Sequence, residues 1–148
     1  MATIQNPIHT LITRPFNHLT DFIELADNCE RYVEALVEVD DPRDKLALCG
    51  RLSTSLSLLM PTLNDPIPPE MVGLLTIDTL PDCMPVFEPE PDTLCRYCQE
   101  LTQLTMSGML TSDQQRVIED LLYELVSYFS DRLKAPRWLR TEQGDILL

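Results

Sequence analysis

Glycine is almost missing from this 148-residue chain, which has four in all. That leaves no Gly-rich loop to cradle a phosphate, and neither a Gly-x-Ser-x-Gly turn nor a His-Glu-x-x-His pair occurs. Histidine is limited to His9 and His18, nine positions apart and on no common helical face. Histidine is the side chain that titrates most readily near neutral pH, and no carboxylate pair stands out among 24 acids. The expectation is therefore a protein without catalytic activity.

Positive charge is also short, with 11 Lys and Arg against 24 Asp and Glu and a net charge of −13. Nucleic acids and anionic membrane surfaces are bound by clustered cations, so neither is expected as a direct partner. The balance fits another protein with a basic or hydrophobic surface. No apolar run approaches the ~20 residues that span a bilayer. The opening Met1-Ala-Thr-Ile-Gln-Asn-Pro7 lacks the basic and apolar regions of a secretory signal, which points to a cytoplasmic location. There Cys29, Cys49, Cys83, Cys95 and Cys98 are expected as reduced thiols, not as a disulfide framework. Aromatics make up only 6%, so the core must come mainly from Leu, Val, Ile and Met.

What is present is helical periodicity. The 44% apolar content suits a folded chain, and the length suits a single helical domain over 1–148. The fold class expected is all-α: about four main helices as two antiparallel hairpins, bundle-like, joined by a long Pro-rich acidic crossover. Residues 1–14 form an N-terminal arm with Ile4, Ile8, Leu11 and Ile12 available for packing. The first main helix runs from Pro15 or Asn17 to Val39 on a stripe of Leu19, Phe22, Ile23, Ala26, Cys29, Val33, Leu36 and Val37. The second opens at Asp41-Pro42, a cap followed by a proline at the first helical position, and ends at Pro61. Its stripe is Leu46, Cys49, Leu52, Leu56 and Leu59, widened by Leu48 and Leu58. Such width also suits a homodimer or larger homo-oligomer.

Residues 61–91 hold eight of the 12 prolines and no Lys or Arg. That many prolines exclude a long helix or a central strand, although a short helical turn fits Pro69–Leu75. Met71, Val72, Leu74, Leu75, Ile77, Leu80, Met84, Val86 and Phe87 make this crossover apolar, so it is expected to lie along the helical body or on a partner. The third helix starts with Asp92 as cap and runs to about Met109, with Leu94, Cys98, Leu101 and Thr105 inward. The fourth follows Thr111, with Ser112 and Gln115 at capping-box spacing, and ends at Lys134. Its stripe includes Val117, Ile118, Leu121, Leu122, Leu125, Val126, Phe129 and Leu133. Residues 137–148 are read as a tail.

One segment suggests chemistry, the Cys-x-x-Cys of Cys95 and Cys98. A thioredoxin-like centre needs a strand before the pair, and the prolines at 85, 89 and 91 deny it. A thiol–metal site, zinc or iron–sulfur, would draw on Cys83, Cys95 and Cys98, with a fourth ligand from Cys29, Cys49, His9 or His18. Two buried small hydrophobes at i, i+3 explain the pair more simply, so no cofactor is expected. Two features point instead to protein binding. Asp27, Glu30, Glu34, Glu38 and Asp41 step along one helical face as an acidic stripe. Arg137, Trp138 and Arg140 form a small basic patch with an aromatic anchor. The function expected is a cytoplasmic interaction protein (a regulator, inhibitor, antitoxin-like neutraliser or secretion-type chaperone) that occludes its partner. A thiol–metal sensor or accessory protein is the alternative, and a structural subunit of a homo-oligomer a further one.

Overall fold

Helix boundaries in this chain are set mainly by capping chemistry. The computed structural model describes residues 7–148. Ile4 of the expected arm lies outside them. The described chain is mainly helical: α1 Pro7–Thr13, α2 Phe22–Glu38, α3 Pro42–Leu59, α4 Pro91–Met106 and α5 Ser112–Lys134, followed by β1 Trp138–Thr141 and β2 Gly144–Leu147. Three 3-10 turns, Met60–Thr62, Pro69–Met71 and Gly73–Leu75, lie between α3 and α4. The chain divides into two compact units, Met1–Thr79 and Leu80–Leu148.

In the first unit, the arm becomes a helix at α1, which packs on α2 and α3. The helix expected from Pro15 or Asn17 begins only at Phe22. Asn17 accepts from the Leu19 N–H through Oδ1 (2.8 Å), making a local turn that competes with helix. Asp21 then caps α2 by accepting from the Glu24 N–H at 2.8 Å. At α3, Asp41 accepts from the Arg43 N–H at 2.8 Å and Pro42 occupies the first turn, where its missing N–H costs nothing.

The core of this unit is Tyr32, Val39 and Leu48, covered by Ile8, Leu11, Ile12, Phe16, Ala35, Leu36 and Leu52. Burying a side chain such as Leu48 stabilises by ~2 kcal/mol. Phe16 also packs at 6.4 Å on the Tyr32 ring and carries the Arg51 guanidinium 4.2 Å above its own ring. Arg51 donates to the Arg14 carbonyl, and Arg14 pairs with Glu24 at 3.3 Å, which fixes the α1–α2 loop.

The buried face of α2 differs from the expected stripe. Leu25, Asn28 and Tyr32 are buried, whereas Leu19, Val33 and Val37 are exposed. At 100° per residue, the true face is rotated by about a third of a turn. The apolar residues of α2 fill one broad sector, and its edge at Leu25 and Tyr32, not its centre, packs inward. On α3, Leu48 and Ser55 are buried, while Leu46, Cys49 and Leu56 of the expected stripe are exposed.

In the second unit, α4 packs against α5. Leu94 and Cys98 are buried and Leu101 and Thr105 half-buried, the inward edge expected for this helix. Asp92 is not the cap: the helix already includes Pro91, and the Asp92 carboxylate accepts from the Thr93 N–H. The helix stops at Met106 because Gly108 takes a positive φ of 70°, a left-handed position that glycine adopts without strain. The capping box of α5 is one residue earlier than expected. Thr111 Oγ1 accepts from the Gln114 N–H (3.2 Å), and Gln114 Oε1 accepts from the Thr111 N–H (2.9 Å). Along α5, Ile118, Leu122, Leu125 and Phe129 are half-buried, but Val117, Leu121, Val126 and Leu133 are exposed.

Residues 137–148 are a β-ribbon and not a tail, which moves the class from all-α to mainly α. Trp138 pairs with Leu147, Leu139 with Ile146, Arg140 with Asp145 and Thr141 with Gly144. Gly144 has φ 119°, and Thr141 Oγ1 donates to its carbonyl at 2.6 Å.

Candidate functional surfaces

The acidic stripe survives folding as a surface. Asp27, Glu30, Glu34 and Glu38 are all exposed on α2. Among the described residues the ion pairs are Arg14–Glu24, Arg116–Asp113 and Arg140–Asp145, so none of the four has a cation partner within 4 Å. Asp41 is different in kind. It is exposed, but its carboxylate is committed to capping α3, so it contributes charge without being free to turn toward a ligand.

The crossover is more open than its composition suggests. Met71 alone in the stretch from Pro61 to Pro91 is buried. Val72, Leu74, Leu75 and Ile77 in the first unit are half or more exposed, as are Leu80, Met84, Val86 and Phe87 in the second. The expectation that these residues lie along the helical body is therefore corrected. The prolines remove N–H donors, and the bonds of the turns at Met60–Thr62, Pro69–Met71 and Gly73–Leu75 are local, so few hydrogen bonds tie the crossover down. Its end is anchored within the second unit. Tyr128 Oη donates to the Phe87 carbonyl at 3.0 Å, with the two rings 6.2 Å apart, and Arg132 Nη1 donates to the Pro89 carbonyl at 2.9 Å.

The basic patch sits at the base of the ribbon. Trp138 is exposed, and Arg137 is exposed beside a cavity of about 220 Å³ with Pro91, Leu94, Phe129, Arg132 and Leu133. Arg140 is not free, since it pairs with Asp145 at 3.5 Å across the ribbon.

The cysteines are scattered in environment. Cys98 is buried, Cys95 and Cys29 are half-buried, and Cys49 and Cys83 are exposed. Burial raises the Cys98 thiol pKa above its ordinary value, and Cys95 nearby raises it further. Burial also raises that of Cys29. Both therefore remain thiols near neutral pH, whereas the nucleophilic form of a cysteine is the thiolate. Among the described residues no three His, Cys, Asp or Glu side chains gather closely enough to hold a metal ion, so Cys83, Cys95 and Cys98 stand apart as a set. Among the described residues no helix is long and apolar enough to cross a membrane.

Sequence reasoning missed a buried polar layer between α2 and α3. Asn28, Tyr32 and Ser55 are fully buried, and Asn28 Nδ2 and Oδ1, Tyr32 Oη and Ser55 Oγ find no hydrogen-bond partner among the described residues. The spacing of Asn28 and Tyr32, one turn apart, was the available signal, but a polar residue carries no mark of burial in its sequence.

No protein-family model, no curated protein and no solved structure matches this chain.

Proposed function

We propose that the protein binds another protein and covers its surface without catalysing a reaction on it. In this reading the helices pair as two antiparallel hairpins, α2 with α3 and α4 with α5, and carry the Pro-rich crossover as an interaction segment. The site of action is the cytoplasm, and the role is that of a regulator, inhibitor or chaperone. The observation that carries it is the exposure of the crossover: eight apolar side chains between Val72 and Phe87 each keep half or more of their surface in water. Apolar exposure of that kind is unfavourable alone and marks interaction sites. The unpaired acids of α2 support the same reading, because a basic partner would be drawn in by their field at a rate that falls with salt.

The test is a photo-cross-linking residue placed at Leu80 and, separately, at Glu34, in the full chain within cells that express it. Adducts to the same foreign protein from both positions, weakened at Glu34 by high salt, are expected. Adducts only to a second copy of the chain, or none, would refute occlusion of a foreign partner.

A further inference from the structure

Beyond the crossover and the acidic face, α3 carries a third surface. An open groove of about 660 Å³ runs along its C-terminal half. One wall is a row of large apolar side chains one turn apart, Leu52, Leu56 and Met60. The other is a parallel row of small ones, Cys49, Ser53 and Ser57. Leu56 is 50% exposed and Met60 69%. The groove lies about a third of a turn around the helix from buried Leu48 and Ser55.

Three features select what fits this groove. No charged residue occurs from Leu52 to Asn64, in a chain of net charge −13. A basic partner gains nothing from such a face, whereas a second copy, repelled elsewhere by its own acids, is least repelled there. The shape is self-complementary: under a two-fold axis the large row of each copy drops into the small row of the other. The face can also be dried cheaply. Ser57 Oγ, which lines the groove, already donates to the Ser53 carbonyl at 2.9 Å, so burial does not strand that hydroxyl.

We infer that the Leu52–Leu56–Met60 groove of α3 is a homodimer interface, in which α3 crosses α3 of a second copy by interlocking these rows. The occupant is another molecule of this chain, and the crossover stays free for a foreign partner.

The experiment is sedimentation equilibrium with native mass spectrometry on the full reduced chain, beside Leu56→Glu and Ser53→Arg. The wild type is expected as a dimer. Each variant is expected to raise the dimer dissociation constant by about a hundredfold or more, since each buries an unpaired charge. Both residues are solvent-exposed, so helix content and thermal midpoint should hold, checked by circular dichroism. A wild type that is monomeric at every concentration overturns the proposal, and so does a dimer that persists in either variant. Cross-linking at Leu80 reports separately on the foreign partner, so the two readings fail independently.

Discussion

Neutralising the acidic face of α2 should stabilise the protein while weakening what it does. The variant is Asp27→Asn with Glu30→Gln, Glu34→Gln and Glu38→Gln. Asp41 stays because it caps α3. In the native helix, Asp27–Glu30, Glu30–Glu34 and Glu34–Glu38 are like-charged neighbours at i+3 or i+4, each costing ~0.2–0.5 kcal/mol. Glu38 also ends α2, whose last turn has no basic residue, and an anion there opposes the helix dipole by ~0.3–1 kcal/mol. Arg31 stands within a turn of Asp27 and Glu34 but forms an ion pair with neither, and its diffuse attraction offsets part of the gain. A net gain of about 1 kcal/mol remains at low salt, or ~2–4 °C in Tm. Urea titration is the assay, because an ionic denaturant would itself screen the charges. The gain should fade near ~1 M salt, where the screening length is ~3 Å. Equal or lower stability of the variant at low salt would refute the reasoning, because it would mean the four acids already have partners. A gain in stability together with reduced cross-linking would instead mark a face kept charged for binding.

Tyr32→Phe should be neutral or stabilising by up to ~1 kcal/mol, since the buried Tyr32 hydroxyl has no partner, whereas Tyr32→Ala should cost ~3–5 kcal/mol. A loss above ~1 kcal/mol for the Phe variant in chemical denaturation would show that the hydroxyl is satisfied. Thr111→Ala should cost ~1 kcal/mol by removing one arm of the α5 capping box, and an unchanged urea midpoint would contradict the two hydrogen bonds there. In a thiol-reagent time course on the native protein, Cys49 and Cys83 should react first and Cys98 last. Both raised thiols titrate above the ordinary range, so Cys29 and Cys98 should stay slow until the pH exceeds it. Fast labelling of Cys98 near neutral pH would contradict its burial.

Local chemistry was legible in the amino-acid order; global facing was not. Asp41-Pro42 announced the start of α3 because capping and proline geometry involve only neighbours in the chain. The prolines of 61–91 excluded a long helix for the same reason, and the mainly helical class followed from periodicity. The ribbon escaped because two four-residue strands carry little pattern, although Thr141 to Gly144 offered a turn signal. Asn17 postponed α2 through a turn that competes with helix, and this was also local but was outweighed by the apolar run beyond it. Tertiary structure decided the rest. The apolar sector of α2 is broad, and only packing against α3 and α1 could choose its edge with Leu25, Asn28 and Tyr32 as the buried face over Val33 and Val37. Composition made the crossover apolar, but whether those side chains met protein or water depended on surfaces far away in sequence. The same holds for α3: its leucines are equivalent in the sequence, and Leu48 is enclosed while Leu56 lines an open groove because burial depends on the neighbours a folded chain supplies.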